Sequence, residues 1–343
     1  MKEHIAQDIN GGTMNNKIPY YLDNSRLSNS SLGWFMESPK YFRQRLDGKI
    51  EGETSKAMDK GTMIHMYLLQ PDDFWKNYEI LDFETPSSAQ QKLFAETYAT
   101  SKLVDPILRA VEALSSAYSV KGKSEDKMAT EGLEMASKLD SYIKYLAVDR
   151  SKAVISWSDL NMLKTIKDNV RVHKKANELL LTVDNSPFVK QLSEFHINWE
   201  YPKHYNEQTI LCKSLLDRVY INHETKKILL IDIKTTSSIK DFKLSVDKYD
   251  YYRQMSYYWI ALTWYFKNKL NIDIEEYTAD TYIVAIQSNG DYSVKVFKLN
   301  NDYITAKIPV IDTIVNNISY HMHTNSWEFS KNYYEGDGSE TLE

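Results

Sequence analysis

The run Ile228-Leu229-Leu230-Ile231-Asp232-Ile233-Lys234-Thr235-Thr236 is apolar until it meets an acid, takes one more isoleucine, and then presents a lysine and two threonines. Residues two apart on a strand share a face, so the Asp232 carboxylate and the Lys234 ammonium emerge together at the end of a buried segment. Other polar residues interrupt apolar elements at His65, Glu194, Asp217, Gln254 and Tyr258. Adjacent strands lie about 4.8 Å apart, which lets acids on neighbouring strands converge. Two bare carboxylates about 4 Å apart repel by about 4 kcal/mol at an effective dielectric near 20. A divalent cation turns that repulsion into attraction. Mg²⁺ and Mn²⁺ take oxygen ligands, which Asp217, Asp232, Glu194 and the Ile233 carbonyl can supply. An ammonium at Lys234 would then orient a nucleophile or stabilise charge on a phosphate. The chemistry this spacing suits is attack of metal-activated water on a phosphodiester. Gln254 and Tyr258, four apart, share one helix face from which to position a base, a phosphate or Lys234.

Each residue also has an ordinary structural reading. An acid and a lysine at a strand end are often a solvated pair of little energetic worth, and a histidine on an apolar helix face is often a hydrogen-bonded core residue. Glu200 lies on the same strand and face as Glu194 and competes for its role. In the aromatic run 249–266 the expectation is core packing for Trp259 and Trp264 and substrate contact for Tyr251 and Tyr252. Lys240, Lys243, Lys248 and Arg253 form a candidate phosphate-contacting edge, weighed against a merely wet surface. His173, Lys174 and Lys175 are assigned to surface.

The elements that must position these groups follow from pattern. Residues 1–25 read as loose. The stretch 28–48 reads as helix, Ser-Pro interruption, helix, and 59–74 as a helix ended by Pro71 with Gly61 and His65 on one face. Residues 86–185 read as a helical insertion of three stretches, 88–118, 125–148 and 158–181, with Pro106 kinking or splitting the first and Gly132 weakening the second. Three β-rich runs then predict an antiparallel meander, followed by a long buried aromatic helix, a hairpin around Asn289-Gly290 and an amphipathic helix over 301–322. The tail 326–343 reads as flexible. The expected fold class is α/β (α+β): a central mixed sheet flanked by helices, built from 26–85 and 186–325, with the helical insertion between.

With 343 residues, 42% hydrophobic and 26% charged, the chain has the composition of a soluble protein able to bury a sizeable core. Its net charge of −5 argues against nonspecific coating of nucleic acid, though a local basic groove remains compatible with it. The single cysteine, Cys212, excludes an internal disulfide and a thiolate metal cluster. No apolar run approaches the roughly 20 residues of a membrane span, and the first residues lack an apolar signal core, so the expectation is a cytoplasmic protein without membrane contact. There is no Gly-rich phosphate loop.

Taken in order, the segments "SSLGWFMESPKYF", "GTMIHMYLLQPDDF", "SEFHINW", "CKSLLDRV", "IDIKTT" and "YYRQMSYYW" resemble the PD-(D/E)XK nucleases of the RecB type, and within them the RecE-like phage exonucleases related to exonuclease VIII and the lambda exonuclease. The resemblance implies a restriction-endonuclease-like core, with His65, Glu194, Asp217 and Asp232 at a Mg²⁺ or Mn²⁺ site, Lys234 as catalytic lysine, and Gln254 with Tyr258 as a Q-x-x-x-Y motif. It further implies exonuclease action on ends of double-stranded DNA, single strands handed to a single-strand-annealing protein in recombination, and in some relatives a homo-oligomeric ring. One departure is Leu215, which stands where an arginine expected to touch DNA often lies. A noncatalytic nuclease-fold module that binds DNA or a protein is the alternative from another class, and an RNA- or nucleotide-directed hydrolase is a third.

Overall fold

The computed structural model describes residues 20–50, 55–81, 83, 85–148, 152–202 and 209–339. They form two compact units, one running to Gln70 and resuming at Ile166, the other Pro71–Thr165. The first unit opens with α1 (Asn29–Glu37), α2 (Pro39–Leu46) and α3 (Lys56–Leu69). The second contains α4 (Pro71–Asn77), β1 (Tyr78–Ile80), α5 (Ala89–Thr100), α6 (Pro106–Ala117), α7 (Glu125–Lys138), α8 (Asp140–Leu146) and β2 (Ala153–Ile155). Helix α9 (Trp157–Val172) spans the boundary, and the first unit continues with α10 (Lys174–Leu180), β3 (Val189–Glu200), β4 (Leu211–Asn222), β5 (Lys227–Thr236), α11 (Phe242–Lys248) and α12 (Tyr251–Tyr265). It ends with β6 (Thr278–Gln287), β7 (Val294–Lys298), α13 (Asn301–Ala306), α14 (Ile308–Thr324) and α15 (Lys331–Glu335).

The fold is α/β. Five strands pair in sequence order, β3-β4-β5-β6-β7. The first three form the antiparallel meander, β5 and β6 are parallel, and β6 and β7 are antiparallel. A parallel pair needs a crossover, which α11 and α12 provide. Helix α12 is buried along Met255, Tyr257, Ala261 and Leu262, packed with β4 and β5 residues such as Leu216 and Leu230 and with Ile311 and Val315 of α14. Trp259 donates its indole N–H to Thr281 Oγ1 at 2.8 Å, and both it and Trp264 border this core.

Local chemistry explains the helix boundaries. Ser28 and Ser31 form a reciprocal capping box at the start of α1. Ser38 ends α1 and caps α2, whose first residue is Pro39, so the Ser-Pro interruption is one shared cap. Pro106 likewise opens α6 behind Asp105, splitting the first helical stretch in two. Pro71 both follows the end of α3 and begins α4.

The insertion is bounded differently from the expected 86–185. Strands β1 and β2 pair in parallel, Tyr78 to Ala153 and Ile80 to Ile155, which draws the residues after Pro71 into the second unit. At the other end the sheet claims 166–185: Asn169 donates to the carbonyls of Asp291 and Tyr292, and Lys175 lies 5.0 Å over the Tyr282 ring. The second unit has its own core around Phe94, Ala113, Leu114 and Ile143.

The tail read as flexible instead forms α15 among stacked aromatics, with the Phe329 and Tyr333 rings 4.0 Å apart. The expectation for residues 1–19 and 340–343 lies outside the described residues, while Tyr20–Leu22 form a 3₁₀ turn. Among the described residues no helix is long and apolar enough to cross a membrane.

Candidate metal centre

The site forms where the alternation of β3 and β4 breaks. On β4, Cys212 and Leu216 face the core under α12, but so do Val219 and Ile221, so the core-facing phase changes between Leu216 and Val219. On β3 the same change separates Leu192 from Phe195, Ile197 and Trp199. The register is nevertheless common to both sides, pairing Ser193 with Arg218 and Phe195 with Leu216. Each strand therefore spends one additional residue at the same place, and Glu194 stands opposite Asp217 at the break. Such bulged positions re-aim side chains. Glu194 has φ 48°, a left-handed conformation that costs a residue with a Cβ about 1–3 kcal/mol.

One residue further along, β4 and β5 part. Their ladder ends at Arg218 paired with Ile231, whereas β5 stays paired to β6 through Thr236. In the fork, Asp217 Oδ2 accepts the Ile233 N–H at 2.7 Å. Asp232 and Lys234 share the phase of Ile228 and Leu230, which pack under α12, and so point toward that helix.

His65 arrives from α3. A Cβ built on Gly61 would lie 3.3 Å from Thr235 Oγ1, so glycine there lets the helix close on the end of β5. Four residues on, His65 Nδ1 lies 3.5 Å from Asp217 Oδ2. His65, Glu194 and Asp217 bring one ligand atom each within 4.8 Å of one another, a group that could hold a metal ion. Asp232 is outside this trio. It is 1% exposed, its Oδ2 lies 2.6 Å from Lys234 Nζ, and its Oδ1 accepts from Gln254 Nε2 at 3.3 Å. The same Gln254 nitrogen donates to Tyr258 Oη at 2.9 Å. Lys234 Nζ sits 5.1 Å over the Tyr251 ring.

The clustered acids perturb one another. Burial, then Asp217 and Asp232, push Glu194 up to about 7. Burial raises Asp232 to about 6 against the pull of Lys234, with Asp217 adding to the rise. For Lys234, burial opposes the ammonium, but Asp232 and Asp217 outweigh it and its pKa is raised. Burial foremost, then Asp232 and Asp217, keep the Tyr258 phenol protonated. The arrangement can bind a cation, hold a neighbouring amine charged, and fix that amine's carboxylate partner through an amide and a phenol.

Other expectations resolve differently. Arg253 is not part of an exposed phosphate edge: it is 6% exposed and donates to Asn29 O at 2.9 Å and Asn29 Oδ1 at 2.8 Å. Lys240, Lys243 and Lys248 are exposed. Tyr251 is buried beneath Lys234, and Tyr252 is half-buried with its ring edge-on to Tyr303. His173 caps α10, its Nδ1 accepting the Ala176 N–H at 3.2 Å. Glu200 is exposed and lies six residues from the break occupied by Glu194. The Ile233 carbonyl belongs to the strand that carries Asp232, and its amide serves Asp217.

Two features escaped sequence reasoning. One is Arg218, which is 9% exposed beside Asp217. The other is a cavity of about 390 Å³ lined by Tyr21, Arg26, Trp34, Arg45 and Lys213 among others. Tyr21 is 78% exposed, yet beyond the partial desolvation of its phenol Glu194 and Asp217 raise it, which places the cavity within electrostatic reach of the acids. Lys213 Nζ is held by the carbonyls of Tyr20 and Asp23 at 2.5 and 2.6 Å.

No protein-family model matches the chain, and no curated protein matches it. Among solved structures it is similar to a crystal structure from Eubacterium rectale named "putative exonuclease", at 10% identity and a TM-score of 0.48, over 97% of this chain and 94% of that one.

Proposed function

We propose that this protein is a divalent-metal-dependent nuclease that hydrolyses DNA phosphodiesters, acting as an exonuclease on ends of linear duplex. The observation that carries the reading is the meeting of His65, Glu194 and Asp217 at the break in the sheet, with Lys234 held as an ammonium against buried Asp232. The donor set fits Mg²⁺ or Mn²⁺: carboxylate oxygens with one imidazole, and an acid that burial, Asp217 and Asp232 push up to about 7. His65, Glu194 and Asp217 would hold the ion, with Asp232 and the Ile233 carbonyl next to them. Bound there, the ion supplies positive charge against a phosphate and makes water more acidic.

The chain's own residues do the rest. Lys234 donates hydrogen bonds from Nζ to charge that develops on the phosphate. Gln254 fixes Asp232 through Oδ1 and is itself fixed by Tyr258, so the Asp232–Lys234 pair keeps one geometry. The cations along the neighbouring cavity suit a polyanion despite the chain's net charge of −5. The segment-by-segment resemblance to RecE-like enzymes supports duplex ends as substrate, a single-strand-annealing protein as recombination partner and a homo-oligomeric ring as the working form.

The test is a time course on end-labelled linear duplex with Mg²⁺ or Mn²⁺, beside a closed circle and a matched RNA duplex. Release of label with sparing of the circle and of RNA is the expected result. Folded protein that leaves the linear duplex intact across several divalent metals overturns the reading.

A further inference from the structure

Two clamps flank the opposed residues Glu194, whose backbone is left-handed, and Asp217. On one side Phe195 and Leu216 are partners, and the Phe195 ring packs edge-on against Tyr265 at 5.0 Å, an apolar clamp. On the other side Ser193 and Arg218 are partners, and this clamp is polar. Arg218 Nε donates to the Leu179 carbonyl at 3.0 Å and its Nη1 donates to Ser193 Oγ at 2.9 Å. Leu179 lies in the last turn of α10, so the guanidinium ties that helix end to β3 directly beside Glu194. A buried charge so placed is costly unless its geometry is used.

We infer that Arg218 is a positioning residue for the metal centre: through Ser193 it holds β3 in the left-handed turn that brings Glu194 to Asp217 and His65. This rests on the metal-site reading above and adds a residue that touches none of the ligands' oxygens. Without the polar clamp, β3 relaxes toward regular alternation and Glu194 leaves the trio. Only a planar fork spans Leu179 and Ser193 together, so lysine does not replace it.

Calorimetric titration with Mn²⁺ alone tests the inference, with thermal melts confirming that each variant is folded. Arg218→Met and Arg218→Lys each weaken Mn²⁺ binding about tenfold or more, the usual effect of losing a group that orients a metal ligand. Ser193→Ala, a small change that leaves packing in place, weakens it in the same direction, and Ser193→Thr, which restores the hydroxyl, recovers it. In a Glu194→Gln background, Ser193→Ala has no further effect, because both changes act through one ligand. Wild-type affinity in Ser193→Ala, or losses that add in the double variant, overturns the inference while the metal site stands, and this holds even where Arg218→Met fails to fold. Wild-type protein that takes up no Mn²⁺ overturns the metal reading and the inference together.

Discussion

Asp217, one position beyond the last rung between β4 and β5, accepts through Oδ2 the backbone N–H of Ile233 at 2.7 Å. A side chain has taken the place of a ladder carbonyl, and this both satisfies a buried donor and anchors the carboxylate in the fork. Asp217→Asn keeps an oxygen acceptor for Ile233 and loses the charge. The variant melts within a few degrees of wild type, and its Mn²⁺ binding, followed by calorimetry, falls below detection. Undiminished binding would remove Asp217 from the metal site.

Lys234 and Asp232 are a buried pair at 2.6 Å, and the removal of either partner has different costs. Lys234→Ala leaves Mn²⁺ binding close to wild type, since Lys234 ligates nothing, but lowers kcat on linear duplex by about 10²–10³, the range for loss of one stabilising donor. Asp232→Ala abolishes cleavage and strands the ammonium. Equal activity of the Lys234 variant and wild type, measured in single turnover, contradicts its assigned role.

Tyr258 is hydrogen-bonded to the site through Gln254, accepting at 2.9 Å the amide that also serves Asp232. Gln254→Ala is expected to lower activity about 10–100-fold, and Tyr258→Phe by less, because the phenylalanine ring still packs beside the amide. In the double variant Tyr258→Phe adds nothing. Additive losses in the rate measurements would show that Tyr258 acts on its own.

Much of the sheet was legible because β3, β4 and β5 are β-rich runs separated by turn-forming segments, β5 a continuous apolar stretch buried from Ile228 through Ile233, and Asn289-Gly290 writes the hairpin. The acids were legible as polar interruptions of that pattern. The phase break was also written in the sequence, in the spacing of Cys212, Leu216, Val219 and Ile221, but it reads as noise until β3 shows the same break opposite. Arg253 was misassigned because its burial depends on Asn29, 224 residues away, a contact no local pattern encodes. The insertion's edges were missed because β1 and β2 are three residues each, too short for periodicity to register.

Gly132 was read as a weakness in a helix, and the structure gives it a use. A Cβ there would lie 2.7 Å from the Ala110 carbonyl oxygen, so α7 and α6 approach along the glycine. Gly132→Ala therefore destabilises the second unit by about 1–3 kcal/mol through overpacking, although alanine is the better helix former. Denaturant melts read this directly. A variant more stable than wild type would show that helix propensity outweighs the close approach.

The acids predict how the metal-free protein responds to pH. Glu194 rises from 4.5 unfolded to about 7 folded, and Asp232 from 3.8 to about 6, burial leading in both. Between the unfolded and folded values the native state holds more protons than the unfolded chain, so the contribution of these groups to stability falls as pH rises through that window. The loss is complete above about 7 for Glu194. Metal-free Glu194→Gln, which cannot ionise, shows a shallower decline between these values than wild type. Mn²⁺ reverses the trend, because ligands must shed their protons to bind: affinity climbs over the same window and the bound protein is stabilised most at its upper end. Melts at several pH values, with and without Mn²⁺, compare the two slopes. A decline that is identical in Glu194→Gln and wild type would place the responsible groups elsewhere.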